Sequence, residues 1–327
     1  MLPAFLLPLL ALTNITASPL AAHSIAAPTW YAGWHATGGF PLSSVSWDKY
    51  NTLYYSFAET TQSVNSLSLS GSDGEMLPQF VSEAHAHGVE AHIAVGGWSG
   101  GTVVDFALQY KLDGIQFDWE SPNDQGIGCN TISVHDTANF LAFLQELRQN
   151  PVAAKLTLSA ASRLGRTAGM PVDKIVLGVA SYGHSFSVPP CDAFVSDTKT
   201  LAAYPTFNAS NQPLGDAWDN TGSVDVCGVY EGSGGTFNFW GLIDNGFLTK
   251  EGKPADGIHY RYDTCSQTPY VYNRTSQVMI SFDNVQSFAA KGKYIKDTKL
   301  RGFSMWEAGG DYNDMLLDSI IDAFKCA

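Results

Sequence analysis

Three polar side chains alternate with apolar ones near the middle of the sequence: Gln116, Asp118 and Glu120. Neighbouring side chains of a β-strand point to opposite faces, so a strand here would carry all three on one face. Two adjacent carboxyl groups raise the pKa of one of them, as a general acid at neutral pH requires. The pattern predicts an acid–base site at the carboxyl end of a strand. The alternative, acids that only cap a neighbouring helix, explains the alternation less well.

The elements that must position these acids alternate between strands and helices. Alternation of this kind predicts an α/β fold, and at this length a (β/α)8 TIM barrel. An open doubly wound sheet is the alternative, but no Gly-x-Gly-x-x-Gly joins a strand to a helix. The predicted strands are 29–34, 51–58, 89–95, 111–120, 156–161, 174–181 and 300–306, and the predicted helices are 77–87, 102–110, 137–149, 285–294 and 314–324.

One crossover of this barrel is too short. Residues 162–173 separate two predicted strands, and they include Gly165, Gly169 and Pro171. A parallel crossover needs a dozen or more residues, usually with a helix. We therefore expect the barrel to lack its sixth strand region.

A second segment differs in composition from the rest. Residues 189–280 are rich in glycine and aromatic residues, and alternation at 270–272 and 277–282 predicts antiparallel strands. We expect an α+β subdomain inserted into a barrel formed by residues 29–188 and 281–327.

Composition and charge exclude several classes of function. The chain has 327 residues, 45% of them hydrophobic, a net charge of −13 and no basic cluster. We therefore expect no nucleic-acid or membrane partner, and a monomer. No spacing typical of a metal site is present, so no metal and no cofactor are expected.

The N-terminus predicts secretion. Residues 2–12 are apolar and small residues follow, which is typical of a signal peptide, here placed at 1–22. The alternative, a first core strand, is weakened by Pro3 and Pro8. Five cysteines in a secreted, extracellular chain predict disulfides with one thiol left over.

The acid-bearing stretch, residues 113–120, resembles the D-x-x-D-x-D-x-E signature of family 18 glycoside hydrolases, the chitinases, with Gln116 at the second acid. Residues 94–98 resemble the third-strand S-x-G-G motif, with Ala94 where serine is usual. Residues 178–183 and 302–307 resemble the seventh and eighth strands, and 262–270 and 281–284 the chitinase insertion domain. The chain is most similar to the fungal secreted type.

The resemblance implies substrate-assisted retaining hydrolysis of β-1,4-linked N-acetylglucosamine in chitin or chito-oligosaccharides, acting within the chain. Glu120 would protonate the leaving oxygen, while Asp118 would orient the acetamido group that attacks. Asp113, the first acid of the motif, is grouped with these two. Trp306 would form the floor of the sugar site. The other expected substrate-binding residues are Tyr31, Phe57, Trp98, Gln116 and Tyr182.

Two departures from the family pattern leave other functions open. Gln116 cannot share a proton with Asp118, and the sixth strand, with its Met-x-Tyr-Asp motif, is missing. A catalytically impaired, chitin-binding lectin-like protein and a truncated gene product are therefore alternatives to an active chitinase. An endo-β-N-acetylglucosaminidase is a third, which the insertion-domain motifs disfavour. The missing segment could also hold a disulfide partner for Cys129.

Overall fold

The computed structural model describes residues 25–61, 63, 66–96, 100–120, 122–125, 129, 131–161, 169–196, 198–225 and 227–326. The predicted signal peptide lies outside these residues. In the described part of the chain, no helix has the length and apolar character needed to span a bilayer.

The strands are β1 (Pro28–Ala32), β2 (Thr52–Thr60), β3 (Leu67–Ser68), β4 (Glu90–Gly96), β5 (Gly114–Phe117), β6 (Thr157–Ala160), β7 (Val176–Ala180), β8 (Tyr182–Ser187), β9 (Ser223–Val224), β10 (Tyr230–Glu231), β11 (Thr236–Asn238), β12 (His259–Asp263), β13 (Thr268–Asn273), β14 (Val278–Ser281) and β15 (Gly302–Trp306). The helices are α1 (Leu77–Ala86), α2 (Gly100–Tyr110), α3 (Asp136–Gln149), α4 (Pro190–Ala193), α5 (Phe239–Asp244), α6 (Val285–Thr298) and α7 (Met315–Cys326).

Seven parallel strands form a sheet that curls into a half-barrel, in the order β6-β5-β4-β2-β1-β15-β7, and the short β3 pairs antiparallel with β2. Among the described residues no strand lies between β6 and β7, so these two are the open edges. The described residues between them, 161 and 169–175, contain only a 3-10 turn at Val172–Lys174. The prediction of a TIM barrel that lacks its sixth strand region is confirmed.

The outer face of the sheet is apolar and covered by helices. Helix α1 buries Leu77, Phe80, Val81 and Ala84, the spacing that the sequence predicts for a core-facing stripe. Helices α6 and α7 cross at Gly292, where an added Cβ would lie 2.4 Å from the carbonyl oxygen of Ile320. Only glycine allows this approach.

The inner face of the sheet is aromatic and polar. The strand register places Trp30 beside Tyr54, and Tyr54 beside His92. The Trp30 and Tyr54 rings lie 5.0 Å apart, and those of Tyr54 and His92 lie 5.5 Å apart. Trp30 Nε1, His92 Nδ1 and the Ser304 hydroxyl are buried without a hydrogen-bond partner among the described residues. Each such group costs about 1–3 kcal/mol, so these three polar groups on β1, β4 and β15 destabilise the inner face of the sheet.

The inserted region forms a five-stranded antiparallel sheet in the order β11-β8-β14-β13-β12. This sheet begins at β8, separated from β7 by Ser181 alone, so residues 182–187 lie with the insertion sheet. A second small core supports it, made of Val188, Ala193, Leu201, Tyr272 and Met279. The division of the chain at residues 189 and 280 stays a prediction.

A disulfide joins the two parts of the molecule. Cys129, in the segment after β5, is bonded to Cys227 of the inserted region. The hypothesis that the partner of Cys129 belongs to the missing segment is therefore wrong. Within the described residues, Cys191 and Cys265 are exposed free thiols.

Candidate active site

The two central acids follow directly after β5. The strand ends at Phe117, three residues earlier than the sequence predicts, but the Asp118 amide still donates to the Val95 carbonyl oxygen at 2.9 Å. Asp118 is half-buried and Glu120 is exposed. Both carboxyl groups therefore lie at the carboxyl end of the parallel sheet, as expected.

Gln116 and Asp118 are neighbouring polar side chains that each have a buried oxygen without a hydrogen-bond partner among the described residues. Gln116 is 2% exposed and its Nε2 donates to the Phe117 carbonyl oxygen at 3.2 Å. Gln116 Oε1 and Asp118 Oδ1 are both buried without a hydrogen-bond partner among the described residues. Burial, followed by the nearby charge of Glu120, raises the pKa of Asp118 to about 6, and the Gln116 side chain opposes this rise. Asp118 thus gains or loses its proton close to neutral pH.

The raised pKa of Asp118 makes a prediction for stability. In the unfolded chain its pKa is about 3.9, so as pH rises from about 4 to about 6 the unfolded chain ionises before the folded protein does. The unfavourable contribution of this carboxylate to the free energy of unfolding grows over that range and stays constant above it. We expect Asp118→Asn to raise the Tm by about 2–4 °C at pH 7.5, for a partly screened gain of about 1 kcal/mol.

The same variant should gain little at pH 3, below both pKa values, where most folded and most unfolded chains carry the proton on Asp118. Differential scanning calorimetry at the two pH values measures the difference. Asp105→Asn, an exposed change on α2, is the matched control. Equal gains at both pH values would contradict the assignment.

Asp113 lies away from the other acids, which corrects its grouping with them. It precedes β5 at the amino end of the sheet, roughly 16 Å along the strand from Asp118. Its Oδ2 accepts from the Ala91 amide and lies 2.8 Å from His85 Nε2. Asp113 therefore ties β4 and α1 together, and the structure gives it no contact with the candidate site.

Trp306 and Phe57 come together at the carboxyl end of the sheet. Their rings stack with centroids 5.5 Å apart and an interplanar angle of 15°. Trp30 contacts the other side of the cluster, 5.7 Å from Trp306. A stacked, half-buried aromatic pair at this edge suits the apolar face of a sugar ring.

Tyr31 does not line the site, in contrast to its predicted role. It is fully buried on the outer face of β1, where its hydroxyl donates to the Phe40 carbonyl oxygen at 3.1 Å. Its ring contacts Phe80 of α1 at 5.7 Å. Because Trp30 already points inward, strand alternation turns Tyr31 outward into the core.

Tyr182 lies across the opening from the acids. It is half-buried at the start of β8. Burial, with a smaller contribution from the charge of Glu120, raises its pKa. The two side chains are therefore within electrostatic range, which brings the edge of β7 and the end of β5 to one opening. Trp98, another predicted wall residue, lies outside the described residues.

Sequence reasoning missed three residues at this end of the sheet: Trp34, His35 and Glu307. Trp34 is 40% exposed and stacks on Phe57 at 6.1 Å, extending the aromatic surface. His35 Nδ1 lies 2.7 Å from Glu307 Oε1, and Glu307 is 6% exposed. Only their positions in the sequence could have indicated that these residues lie near the site. Trp34 and His35 follow β1, and Glu307 follows Trp306.

No group of three His, Cys, Asp or Glu side chains in the described ranges is arranged to hold a metal ion. The described side chains at the carboxyl end of the sheet present carboxyl, amide, imidazole, hydroxyl and aromatic groups.

Comparison with known proteins identifies the family. The model of glycosyl hydrolases family 18 matches residues 28–168 and 157–311. The chain belongs to glycosyl hydrolases family 18. A protein described as a "chitinase-like effector" from Moniliophthora perniciosa is 40% identical over 375 residues, covering 89% of this chain and 85% of that protein.

Two solved structures show the same fold. A chitinase from Rhizomucor miehei matches with a TM-score of 0.76 and 24% identity, covering 91% of this chain and 100% of that one. A family 18 chitinase from Cycas revoluta in complex with (GlcNAc)3 matches with a TM-score of 0.65 and 16% identity, covering 91% and 99%. These likenesses establish the family 18 architecture.

The family match comes in two ranges rather than one. The two ranges overlap at residues 157–168, which begin at β6, the open edge of the sheet. The alignment with the Moniliophthora perniciosa relative, at 375 positions, is longer than this whole chain of 327 residues. That relative therefore contains residues with no counterpart here.

Proposed function

We propose that this family 18 chain binds chito-oligosaccharides at the carboxyl end of its half-barrel and hydrolyses them weakly or not at all. The observation that carries the proposal is the stacked Trp306–Phe57 pair at the edge that also holds Asp118 and Glu120. The aromatic pair supplies a surface for an N-acetylglucosamine ring, and the acids supply polar contacts to its acetamido group and glycosidic oxygen. Binding requires only that these groups are in place. Hydrolysis also requires that Glu120 donates a proton and that Asp118 is anionic.

Hydrolysis by this site would be substrate-assisted. Glu120 would donate a proton to the glycosidic oxygen while the acetamido oxygen of the sugar attacks the anomeric carbon. Asp118 would have to be anionic to stabilise the positive charge that develops on that group. Gln116 cannot accept or hold a proton for Asp118, and among the described residues no strand pairs with the outer edge of β6. These two features support weak turnover, as does the "effector" description of a relative that is 40% identical.

Isothermal titration calorimetry tests the binding. We expect the chain to bind chitotetraose and to bind cellotetraose, which lacks acetamido groups, far more weakly. Trp306→Ala should weaken chitotetraose binding about tenfold, the loss of about 1.4 kcal/mol of stacking. Tyr230→Ala, which removes an aromatic ring that is 68% exposed on β10, is the control and should bind normally.

Two results would contradict the proposal. Equal affinity for the two tetrasaccharides would show that the acetamido group is not recognised. Chromatography would monitor the products formed from chitotetraose. Rapid release of chitobiose would show that the site is a competent hydrolase.

We propose in addition that residues 1–22 are a signal peptide and that the protein is secreted. The apolar N-terminus supports this. N-terminal sequencing of exported material should start between residues 18 and 27, and a protein that keeps Met1 would contradict it.

A further inference from the structure

His35 connects three parts of the molecule at the carboxyl end of the sheet. Its Nε2 accepts from the Trp34 indole nitrogen at 3.1 Å, and its Nδ1 lies 2.7 Å from Glu307 Oε1. Its ring stacks on Trp218 of the inserted region, with centroids 3.7 Å apart and an angle of 19°. One side chain therefore contacts the turn after β1, the end of β15 and the insertion.

The two hydrogen bonds allow one form of the imidazole. An indole nitrogen can only donate, so Nε2 of His35 must be the accepting, unprotonated nitrogen. The proton then sits on Nδ1 and is donated to the Glu307 carboxylate. Glu307 is itself held, because its amide donates to the Ser181 hydroxyl at 2.9 Å. The Trp34 indole is thus anchored through His35 to a buried carboxylate.

The groups that His35 holds extend the proposed sugar surface. Trp34 stacks on Phe57, and Phe57 stacks on Trp306, so three rings form a continuous series. Trp218 donates through Nε1 to the Gly38 carbonyl oxygen at 3.2 Å, which fixes it beside the same turn. Without the imidazole, Trp34 loses its hydrogen bond and Trp218 loses the ring that it stacks on.

We propose that His35 is a positioning residue that holds Trp34 and Trp218 as the outer end of the oligosaccharide surface, and so sets the length of chain that the site prefers. This inference rests on the proposed binding function. A short oligosaccharide that reaches only Trp306 and Phe57 does not depend on His35. A long one that reaches Trp34 does.

Calorimetric titration of chitotriose and chitohexaose tests the proposal with His35→Ala and His35→Gln. We expect His35→Ala to lower the ratio of hexaose to triose affinity about tenfold, with triose affinity nearly unchanged. His35→Gln should restore the part of this ratio that depends on Trp34, because a carboxamide can donate to Glu307 and accept from Trp34. It cannot replace the imidazole ring that stacks on Trp218. The control is His87→Ala, which removes a histidine stacked on Trp47 at 5.3 Å outside the described site.

A second measurement does not need sugar. The indole N–H resonance of Trp34, identified by its absence in Trp34→Phe, should shift in His35→Ala and stay near its place in His35→Gln. An unshifted resonance in His35→Ala, or equal losses of triose and hexaose affinity, would overturn the role of His35. Failure of the unmodified chain to bind either sugar would instead overturn the proposed function, while the resonance would still decide whether His35 positions Trp34.

Discussion

Insertion of a strand and helix after Ala161 is expected to raise both the stability and the hydrolytic rate of this protein. The inserted segment would be one strand followed by one helix, placed between β6 and β7. The strands at the two open edges, β6 and β7, are mostly exposed or half-buried, so their free backbone groups face water. An added strand would replace that water with backbone hydrogen bonds, each worth roughly 0.5–1.5 kcal/mol net. A few such bonds are a substantial part of the ~5–15 kcal/mol by which a domain is stable. We expect the Tm to rise by about 5–10 °C.

The control for this insertion is a Gly/Ser segment of equal length at the same position. It adds chain but no strand, so the Tm should stay the same or fall. Measurements on the unmodified chain could also contradict the expected effect of the insertion. A cooperative transition above ~65 °C, beyond the usual mesophile range, together with rapid chitin hydrolysis, would show that the open edges are harmless.

Glu120→Gln should abolish whatever hydrolysis the chain performs while oligosaccharide affinity is nearly kept. The amide preserves the shape of the side chain but cannot donate a proton to the leaving oxygen, and loss of a general acid costs ~10²–10⁴-fold. Release of 4-methylumbelliferone from its chitotrioside measures the rate, best in the chain with the inserted strand. Full activity in Glu120→Gln would end the assignment of this residue as the proton donor.

Two further variants separate the effect of Gln116 on hydrolysis from the effect of the missing strand. Gln116→Asp alone should rescue little in the open barrel, because the missing strand still leaves Asp118 and the sugar poorly held. In the closed barrel the same change should increase the rate. Asp113→Asn is the matched control among the acids of the motif, since Asp113 pairs with His85 at the opposite end of β5. It should leave the hydrolytic rate unchanged.

Local periodicity predicted the seven parallel strands and helices α1, α2, α3, α6 and α7, and the short connector at 162–173 predicted the missing strand. Each of these features depends on neighbours in sequence. The positions of Tyr31 and Asp113 in the sequence could also have corrected their predicted roles in the site. Alternation along β1 turns Trp30 inward and Tyr31 outward, so Tyr31 could have been assigned to the core. The spacing of Asp113 and Asp118 in the sequence likewise places them at opposite ends of β5. Aromatic or acidic character alone does not say which face a side chain takes.

Other features carry no local signal. His35 meets Glu307 across 272 residues, and nothing near either residue in the sequence indicates the other. Cys129 and Cys227 pair across 98 residues, one of several pairings that five cysteines allow. Strand β3 has two residues, too few for any alternation to be recognised. These features depend on the folded arrangement of distant segments.

The pairing of β1 with β15 has a consequence for how the chain can fold. Strands β1 to β6 pair mainly with strands near them in sequence, and β7 pairs with β15, so the half-barrel consists of two sub-sheets joined by one seam. At that seam Thr29 Oγ1 donates to the Met305 carbonyl oxygen across 276 residues. Closing a loop of this length costs about 2 kcal/mol more entropy than joining β1 to β2. On the ribosome, β1 therefore remains an exposed edge until residue 306 has been synthesised, and the completed sheet can form only after translation of β15.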